Sequence, residues 1–260
     1  MSFSTTKHQP TRALILSAGQ GRRLLPFTEN RPKCLLELDG LTVIERQIDG
    51  LKAAGIDDVT VVTGYGATQV EQVLQRRYGG GAIETLFNPF YEVADNLASC
   101  WMARLVIEGA FVLLNGDTLF DLPVLQRLLT APARPITLAI DRKASYDPDD
   151  MKVCVEGDRL TRVGKTLPLA SVNGESIGMM CFRPQGSAWF RDALERAMQT
   201  PEALQRWYLS IIDELAGATG QVFVQSIEGL GWGELDFPCD LEAARVLVRD
   251  WERQTGTDHG

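Results

Sequence analysis

The stretch LSAGQGRRLLPFTENRPKCLLELDG, Leu16 to Gly40, sets two glycines, two adjacent arginines and a Pro-Lys pair directly after a hydrophobic run. Glycine lets a backbone come close to a ligand, and arginine and lysine in the same loop are the residue types that hold phosphates. Ser17 to Gly21 could wrap a triphosphate with successive backbone N–H groups, as concave nests do. Arg23 would reach the same phosphates, and Lys33 would arrive from the far side once Pro32 turns the chain. The plainer alternative is a glycine-rich turn with a solvated basic edge, and Arg22 suits a solvated position better than a phosphate contact. Two familiar phosphate motifs are excluded. A dinucleotide fingerprint starting at Gly19-Gln20-Gly21 would need glycine or alanine at position 24, which is Leu24. Gly164-Lys165-Thr166 ends like a P-loop, but the glycine required five residues earlier is Arg159.

The rest of the composition narrows the chemistry. The chain has 260 residues and a formal net charge of −8, which argues against a nucleic-acid or anionic-membrane binder. Both histidines, His8 and His259, fall in expected loose ends, so a Ser-His-Asp triad is excluded. Cys34, Cys100, Cys154, Cys181 and Cys239 are scattered without a C-x-x-C spacing, suggesting neither a zinc site nor a disulfide framework. The opening MSFSTTKHQPTR has no apolar signal region and no apolar run is long enough to span a membrane, so a cytoplasmic protein is expected.

These residues must be positioned by elements that the hydrophobic pattern outlines. RALILSAG reads as a buried strand, TVIERQIDGLKAAG as a helix stopping at Gly55, DDVTVVTGYG as a strand, ATQVEQVLQRRYG as a helix and AIETLFN as a strand. NLASCWMARLVI reads as a helix and AFVLLNGDTLF as a strand broken at Gly-Asp. Such alternation predicts a mostly parallel α/β sheet flanked by helices, with ligands bound beyond the carboxyl ends of its strands. After residue 135 an antiparallel elaboration is expected: strands PITLAID and SIGMMCF, a hairpin around Gly157, helices SAWFRDALERAMQ and EALQRWYLSIIDELAG, a strand VFVQSIEG and a last helix DLEAARVLVRDW. The expected organisation is a tail over 1–11, one domain over 12–250 with a nucleotide half (12–130) and an acceptor half (131–250), and a second tail over 251–260.

SAGQGRRLLPFTENRPK resembles the G-x-G-x-R-L-x-P-x-T-x-x-x-P-K signature of the nucleotidyltransferases that join an NTP to a sugar phosphate or phosphoalcohol. Gly19, Gly21, Arg23, Leu24, Pro26, Thr28, Pro32 and Lys33 agree in register. NPFYEVADNLASCWMA is similar to the N-P-x-Y-x-x-x-N-N-x-x-S segment of the phosphocholine cytidylyltransferase-like branch, with Asp95 in place of Asn. LLNGDTLF resembles the family's strand-ending aspartate, and WGELDFPCDL its late Glu-x-Asp. The resemblance implies a Rossmann-like mixed, mostly parallel sheet flanked by helices, a Mg²⁺ site at Asp117 and Asp236, catalytic roles for Arg23 and Lys33, and a nucleotide site at Leu16, Ser17, Ala18, Gly19, Gly21, Thr63 and Asn96. The chemistry is coherent: Mg²⁺ prefers carboxylate and phosphate oxygens, and the two cations would offset charge developing at the α-phosphate and on pyrophosphate. Asp117 also reads as a turn residue, and Asp236 as the lead-in to a helix capped by Asp240.

The resemblance places CTP ahead of UTP. For the acceptor, Lys152 and Lys165 could hold a phosphate, Lys165 at the family's acceptor-side position and Lys152 equally a solvated strand residue. Glu175 could contact an amine or hydroxyl. Trp207 and Tyr208 could wall a quaternary ammonium by cation–π contact or belong to the core. Met151 stands where choline-specific members carry an aromatic, so phosphocholine, 2-aminoethylphosphonate, another phosphonate and an inositol phosphate remain open. The expected function is a Mg²⁺-dependent cytidylyltransferase, soluble and without nucleic-acid or membrane partners, with a homodimer open. The competing readings are a sugar-1-phosphate nucleotidylyltransferase using UTP or dTTP and a non-catalytic nucleotide sensor.

Overall fold

Along RALILS, Ala13 and Ile15 face one side and Leu14 the other, and all three are buried. That period-two burial on both faces requires a sheet covered on both sides. The computed structural model describes residues 9–256. His8, His259, most of the first expected tail and the last four residues of the second lie outside the described residues.

The strands and helices follow in order: β1 (Arg12–Ser17), β2 (Glu37–Leu38), β3 (Leu41–Thr42), α1 (Val43–Ala53), β4 (Asp58–Thr63), α2 (Ala67–Tyr78), β5 (Ile83–Phe87), α3 (Asn96–Met102), β6 (Phe111–Asn115), β7 (Thr118–Phe120) and α4 (Leu122–Leu129). The second half contributes β8 (Ile136–Asp141), β9 (Lys152–Glu156), β10 (Arg159–Gly164), β11 (Gly174–Phe182), α5 (Pro184–Ala197), α6 (Tyr208–Thr219), β12 (Val222–Ser226), β13 (Trp232–Glu234) and α7 (Asp240–Thr255). A nine-stranded sheet runs β5-β4-β1-β6-β11-β8-β12-β10-β9. Its first four strands are parallel, β11 lies antiparallel between β6 and β8, and β9–β10 is the hairpin expected around Gly157. This is the expected mixed α/β architecture.

One face of the sheet packs against α3, α5 and α6 through residues such as Leu97, Phe190 and Ile212. Phe111, Phe182 and Phe190 form a stacked run there, with ring centroids 4.6 and 4.9 Å apart. The other face packs against α1, α2 and α4 through Ile44, Val70 and Leu125. A third cluster, including Leu24, Leu119, Leu235 and Val248, seats α7 against the β7–β13 ribbon. α1 begins where the sequence predicts because Thr42 and Glu45 form a reciprocal capping box.

Three differences from the sequence reading have local causes. The helix expected from Glu202 is interrupted, because Asp95 N–H donates to Leu204 O (2.8 Å) and Leu97 N–H to Arg206 O (3.2 Å), which hold the chain extended before α6. α4 was not anticipated; a proline at its start and an Asp121 carboxylate accepting from Leu122 N–H initiate this short helix. α7 runs on to Thr255, past the boundary expected at residue 250. Among the described residues no helix is long and apolar enough to cross a membrane.

Candidate active site

The site lies where β1 and β6 end side by side, Leu16 registering with Asn115. Gly116 N–H donates to Leu16 O at 2.9 Å, and a Cβ on Gly116 would come within 2.4 Å of Ser17 Oγ. Only glycine lets the turn after β6 rest on the end of β1. Gly21 is equally constrained: its φ is +75°, and a Cβ there would lie 2.9 Å from Lys33 Cβ. The Lys33 stem therefore passes directly over this glycine, and Thr28 Oγ1 fixes the loop by donating to Gly21 O at 2.8 Å.

Asp117 and Asp236 are far apart in sequence, and the β7–β13 ribbon joins them. β7 begins just after Asp117, β13 ends just before Asp236, and Thr118 registers with Glu234. Leu235 N–H donates to Asp117 O at 3.3 Å. Asp240 does not serve as the helix cap. Its carboxylate accepts from Asp236 N–H (2.8 Å) and Phe237 N–H (2.7 Å) and so fixes the turn that carries Asp236.

On this frame the charges interlock. Lys33 Nζ lies 2.8 Å from Asp117 Oδ2 and 2.8 Å from Asp236 Oδ1. Arg23 reaches Asp236 at 3.0 Å and Asp149 at 3.3 Å, and Lys165 meets the same Asp149 carboxylate at 3.3 Å. Burial alone would lower the Lys33 ammonium, but Asp117 and Asp236 outweigh it and hold it above its ordinary value. For Asp236 burial works upward and is overcome by Lys33 and then Arg23, so this carboxyl is held low. Glu234 is pushed up by desolvation among its packed neighbours and by the Asp117 and Asp236 carboxylates, although its exposed surface limits the first of these. Burial likewise raises Glu175, to about 7, against the pull of Lys143 at 2.9 Å.

A cavity of about 200 Å³ opens beside this cluster, lined by Leu16, Ser17, Gly19, Gly21, Lys33, Cys34, Asn96 and the Asn115–Asp117 turn. A wider hollow of about 470 Å³ lies nearby, between Gln20, Arg22, the Tyr91–Asp95 segment and Gln205. Asp117 Oδ1 is buried without a hydrogen-bond partner, while its other oxygen converges with Asp236 on one cation. Two carboxylates, one with an orphaned oxygen, fit a small hard divalent cation that takes its remaining ligands from phosphate and water. No cluster of three or more metal-ligating side chains exists among the described residues, so the site offers part of a coordination shell rather than a protein cage.

The profile of the MobA-like NTP transferase domain matches residues 13–148, which carry the glycine loop, Lys33 and Asp117. The chain belongs to the MobA-like NTP transferase family. It is 27% identical over 252 residues, 94% of its length, to the CMP-5'-(3-aminopropyl)phosphonate synthase of Streptomyces rubellomurinus. It is 28% identical over 251 residues, 95% of its length, to the bifunctional IPC transferase and DIPP synthase of Rubrobacter xylanophilus. The matched segments span 40% and 54% of those relatives, so the chain corresponds to only part of each. The inositol-1-phosphate CTP transferase from T. maritima shares the fold, with a TM-score of 0.80 at 20% identity over 95% of this chain and 98% of that one.

In this NTP transferase the structure brings Arg23, Lys33, Asp117 and Asp236 into one cluster and sets Leu16, Ser17, Gly19, Gly21 and Asn96 around the cavity. Ala18 is buried beside them, its carbonyl accepting from Tyr65 N–H at 3.0 Å. Thr63 is fully buried with an unpartnered hydroxyl and does not line the cavity. Lys165 sits over the exposed Trp207 ring, 4.8 Å from its centroid. Lys152 points elsewhere, its three ammonium donors shared among the carbonyls of Asp147, Pro148, Asp150 and Lys165. Tyr208 belongs to the core: it is wholly buried and its hydroxyl hydrogen-bonds Asn115 Oδ1 at 3.0 Å. Sequence reasoning gave no role to Asp149 or Glu234. The Glu-x-Asp spacing of Glu234 with Asp236 was its one visible signal, and nothing near Asp149 distinguished it from a solvated loop acid.

Proposed function

We propose that this NTP transferase is a Mg²⁺-dependent cytidylyltransferase that condenses CTP with a phosphonate or phosphoalcohol to a CMP- or CDP-linked product and pyrophosphate. The observation that carries it is the Lys33 ammonium set between Asp117 and Asp236 beside a glycine loop, with Arg23 alongside. The choice of CTP is supported by a relative named for making a CMP-linked phosphonate and by a structural neighbour named as a CTP transferase.

Asp117 and Asp236 would hold Mg²⁺, which when bound neutralises triphosphate charge and orients the α-phosphate. The backbone from Ser17 to Gly21 would cradle the triphosphate, and the Tyr91–Asp95 hollow offers room for the nucleoside. Once nucleotide and cation enter, Lys33 and Arg23 exchange carboxylate partners for phosphate oxygens. An acceptor phosphate or phosphonate oxygen attacks the α-phosphorus in line. The new P–O bond forms as the bond to the α,β-bridging oxygen breaks, and pyrophosphate leaves with its charge balanced by Arg23 and Lys33. The acceptor oxygen is mostly ionised at neutral pH, a phosphate monoester's second pKa being about 6, so no general base is required. Lys165 would hold the acceptor's anionic group, exchanging Asp149 for it. Glu175 meets the Lys143 ammonium at 2.9 Å, and an acceptor whose far end is an ammonium would take that place beside the Glu175 carboxylate. Phosphorus NMR of reactions containing CTP, Mg²⁺ and one acceptor checks this. Product is expected with 2-aminoethylphosphonate or phosphocholine, with a KM for the amine acceptor at least fivefold higher in Glu175→Gln. Product only with inositol 1-phosphate or glucose 1-phosphate would refute the ammonium reading.

A further inference from the structure

Behind the Asp117 turn lies a side chain that neither touches the cavity nor serves the sheet. Gln47 sits on the buried face of α1, 1% exposed. Its side-chain amide donates twice, to Asn115 O at 2.8 Å and to Thr118 O at 2.8 Å. Those two carbonyls bracket Gly116 and Asp117. Both partners are acceptors, so the NH₂ end of the amide must face them. The other end, Gln47 Oε1, is buried with no hydrogen-bond partner. An apolar side chain of equal length would escape that desolvation cost but would leave the turn without its two donors. The remaining faces of the turn are held separately: Thr118 Oγ1 donates to Ile177 O at 2.9 Å, and Tyr208 tethers the Asn115 side chain. Gln47 is the one side chain among these that spans the main chain on both sides of Asp117.

We propose that Gln47 is a positioning residue that fixes the Asn115–Thr118 turn, so that the Asp117 carboxylate is already aimed before cation and nucleotide arrive. Gln47 touches neither substrate nor cation; it acts through the backbone of Asp117. The proposal rests on the reading of Asp117 as a cation ligand. It predicts that removing the two donors weakens metal binding about tenfold, as loss of an outer-shell partner does, rather than simply lowering stability.

The test compares wild type, Gln47→Met, Asp117→Ala and the core control Ile48→Val. Mn²⁺ alone is titrated by water-proton relaxation, and backbone amide exchange is followed at residues 116–118. Gln47→Met is expected to bind Mn²⁺ about tenfold more weakly and to exchange those amides at least tenfold faster, with the rest of α1 unchanged. Ile48→Val is expected to match wild type in both readouts despite lower stability. Wild-type Mn²⁺ affinity in Gln47→Met, or losses no greater than those of Ile48→Val, would overturn the proposal. Should Gln47→Met fail to fold, Gln47→Glu, which keeps the length and supplies one donor only when protonated, is read against the same two outcomes. If wild type binds Mn²⁺ no better than Asp117→Ala does, the reading of Asp117 itself fails, and the two failures are told apart.

Discussion

Lys33 is the residue on which the site's charges converge, and its loss has two separable effects. Lys33→Met removes the cation between Asp117 and Asp236, leaving two carboxylates in mutual repulsion. Turnover is expected to fall about a hundredfold or more, as when a group stabilising transition-state charge is deleted. The melting temperature is expected to fall as well, and Mg²⁺ should restore more of it in the variant than in wild type. A Lys33→Met protein with unchanged stability and no Mg²⁺ response would show that the cluster carries no strain of this kind. Glu175 makes a pH-dependent prediction. Burial raises its carboxyl to about 7 from 4.5, so the folded protein holds the proton more tightly than the unfolded chain. Its stabilising contribution is full below the unfolded value and fades as pH rises through about 7. Relative to wild type, Glu175→Gln should therefore gain on the order of 2.5 kcal/mol between pH 5 and pH 8. Equal denaturation midpoints of the two proteins at both pH values would contradict this. At this scale Arg23 and Lys33 stood out because their residue types beside a glycine loop suggest phosphate chemistry, whereas Asp117 and Asp236 were singled out only through the family resemblance. Lys152 and Tyr208 were not, because the direction of a side chain is set by tertiary partners: four carbonyls in one case, Asn115 in the other.

At the scale of elements, the site depends on close contacts that tolerate no added atom. Gly116→Ala would drive a Cβ to 2.5 Å from Leu16 O, a backbone atom that cannot rotate away. A cost on the order of 3 kcal/mol is expected, read as a lower denaturant midpoint, and a change within about 0.5 kcal/mol would sink the packing account. The segment from Arg142 to Asp150 contributes differently. Lys152 pins its main chain, while Asp149 lies between Arg23 and Lys165 where phosphate groups would otherwise sit. Asp149 is largely solvated, so Asp149→Ala should barely alter stability. It should lower the KM for CTP or acceptor about twofold to fivefold with kcat unchanged, and an increased KM would show that Asp149 assists binding instead. The alternating pattern made the parallel half and the Gly157 hairpin readable, because strand and helix periods there are undisturbed. The break before α6 was not readable: it arises from hydrogen bonds offered by Asp95 and Leu97, more than a hundred residues earlier.

For the whole molecule, the two halves of the chain meet in one sheet, and the carboxylates proposed to bind the cation come one from each half through the β7–β13 ribbon. Joint binding of CTP and Mg²⁺ should therefore stabilise the entire fold. At a hundredfold excess over Kd the linkage is about 2.7 kcal/mol, a rise of roughly 5–10 °C in melting temperature for a chain this size. Loss of that rise in Asp236→Ala, with no change in the free protein's cooperativity, is the expected companion result. The sequence could not reveal the ribbon, since β7 and β13 are three residues each and carry no periodic signal. The most direct measurement is pyrophosphate release with Mg²⁺, crossing CTP, UTP, ATP, GTP and dTTP with 2-aminoethylphosphonate, phosphocholine, inositol 1-phosphate and glucose 1-phosphate, in wild type and Asp117→Ala. Release with CTP and an amine-bearing acceptor, abolished in Asp117→Ala, is the predicted result. Release confined to UTP or dTTP with the sugar phosphate, or nucleotide binding with no release from any pair, would contradict it.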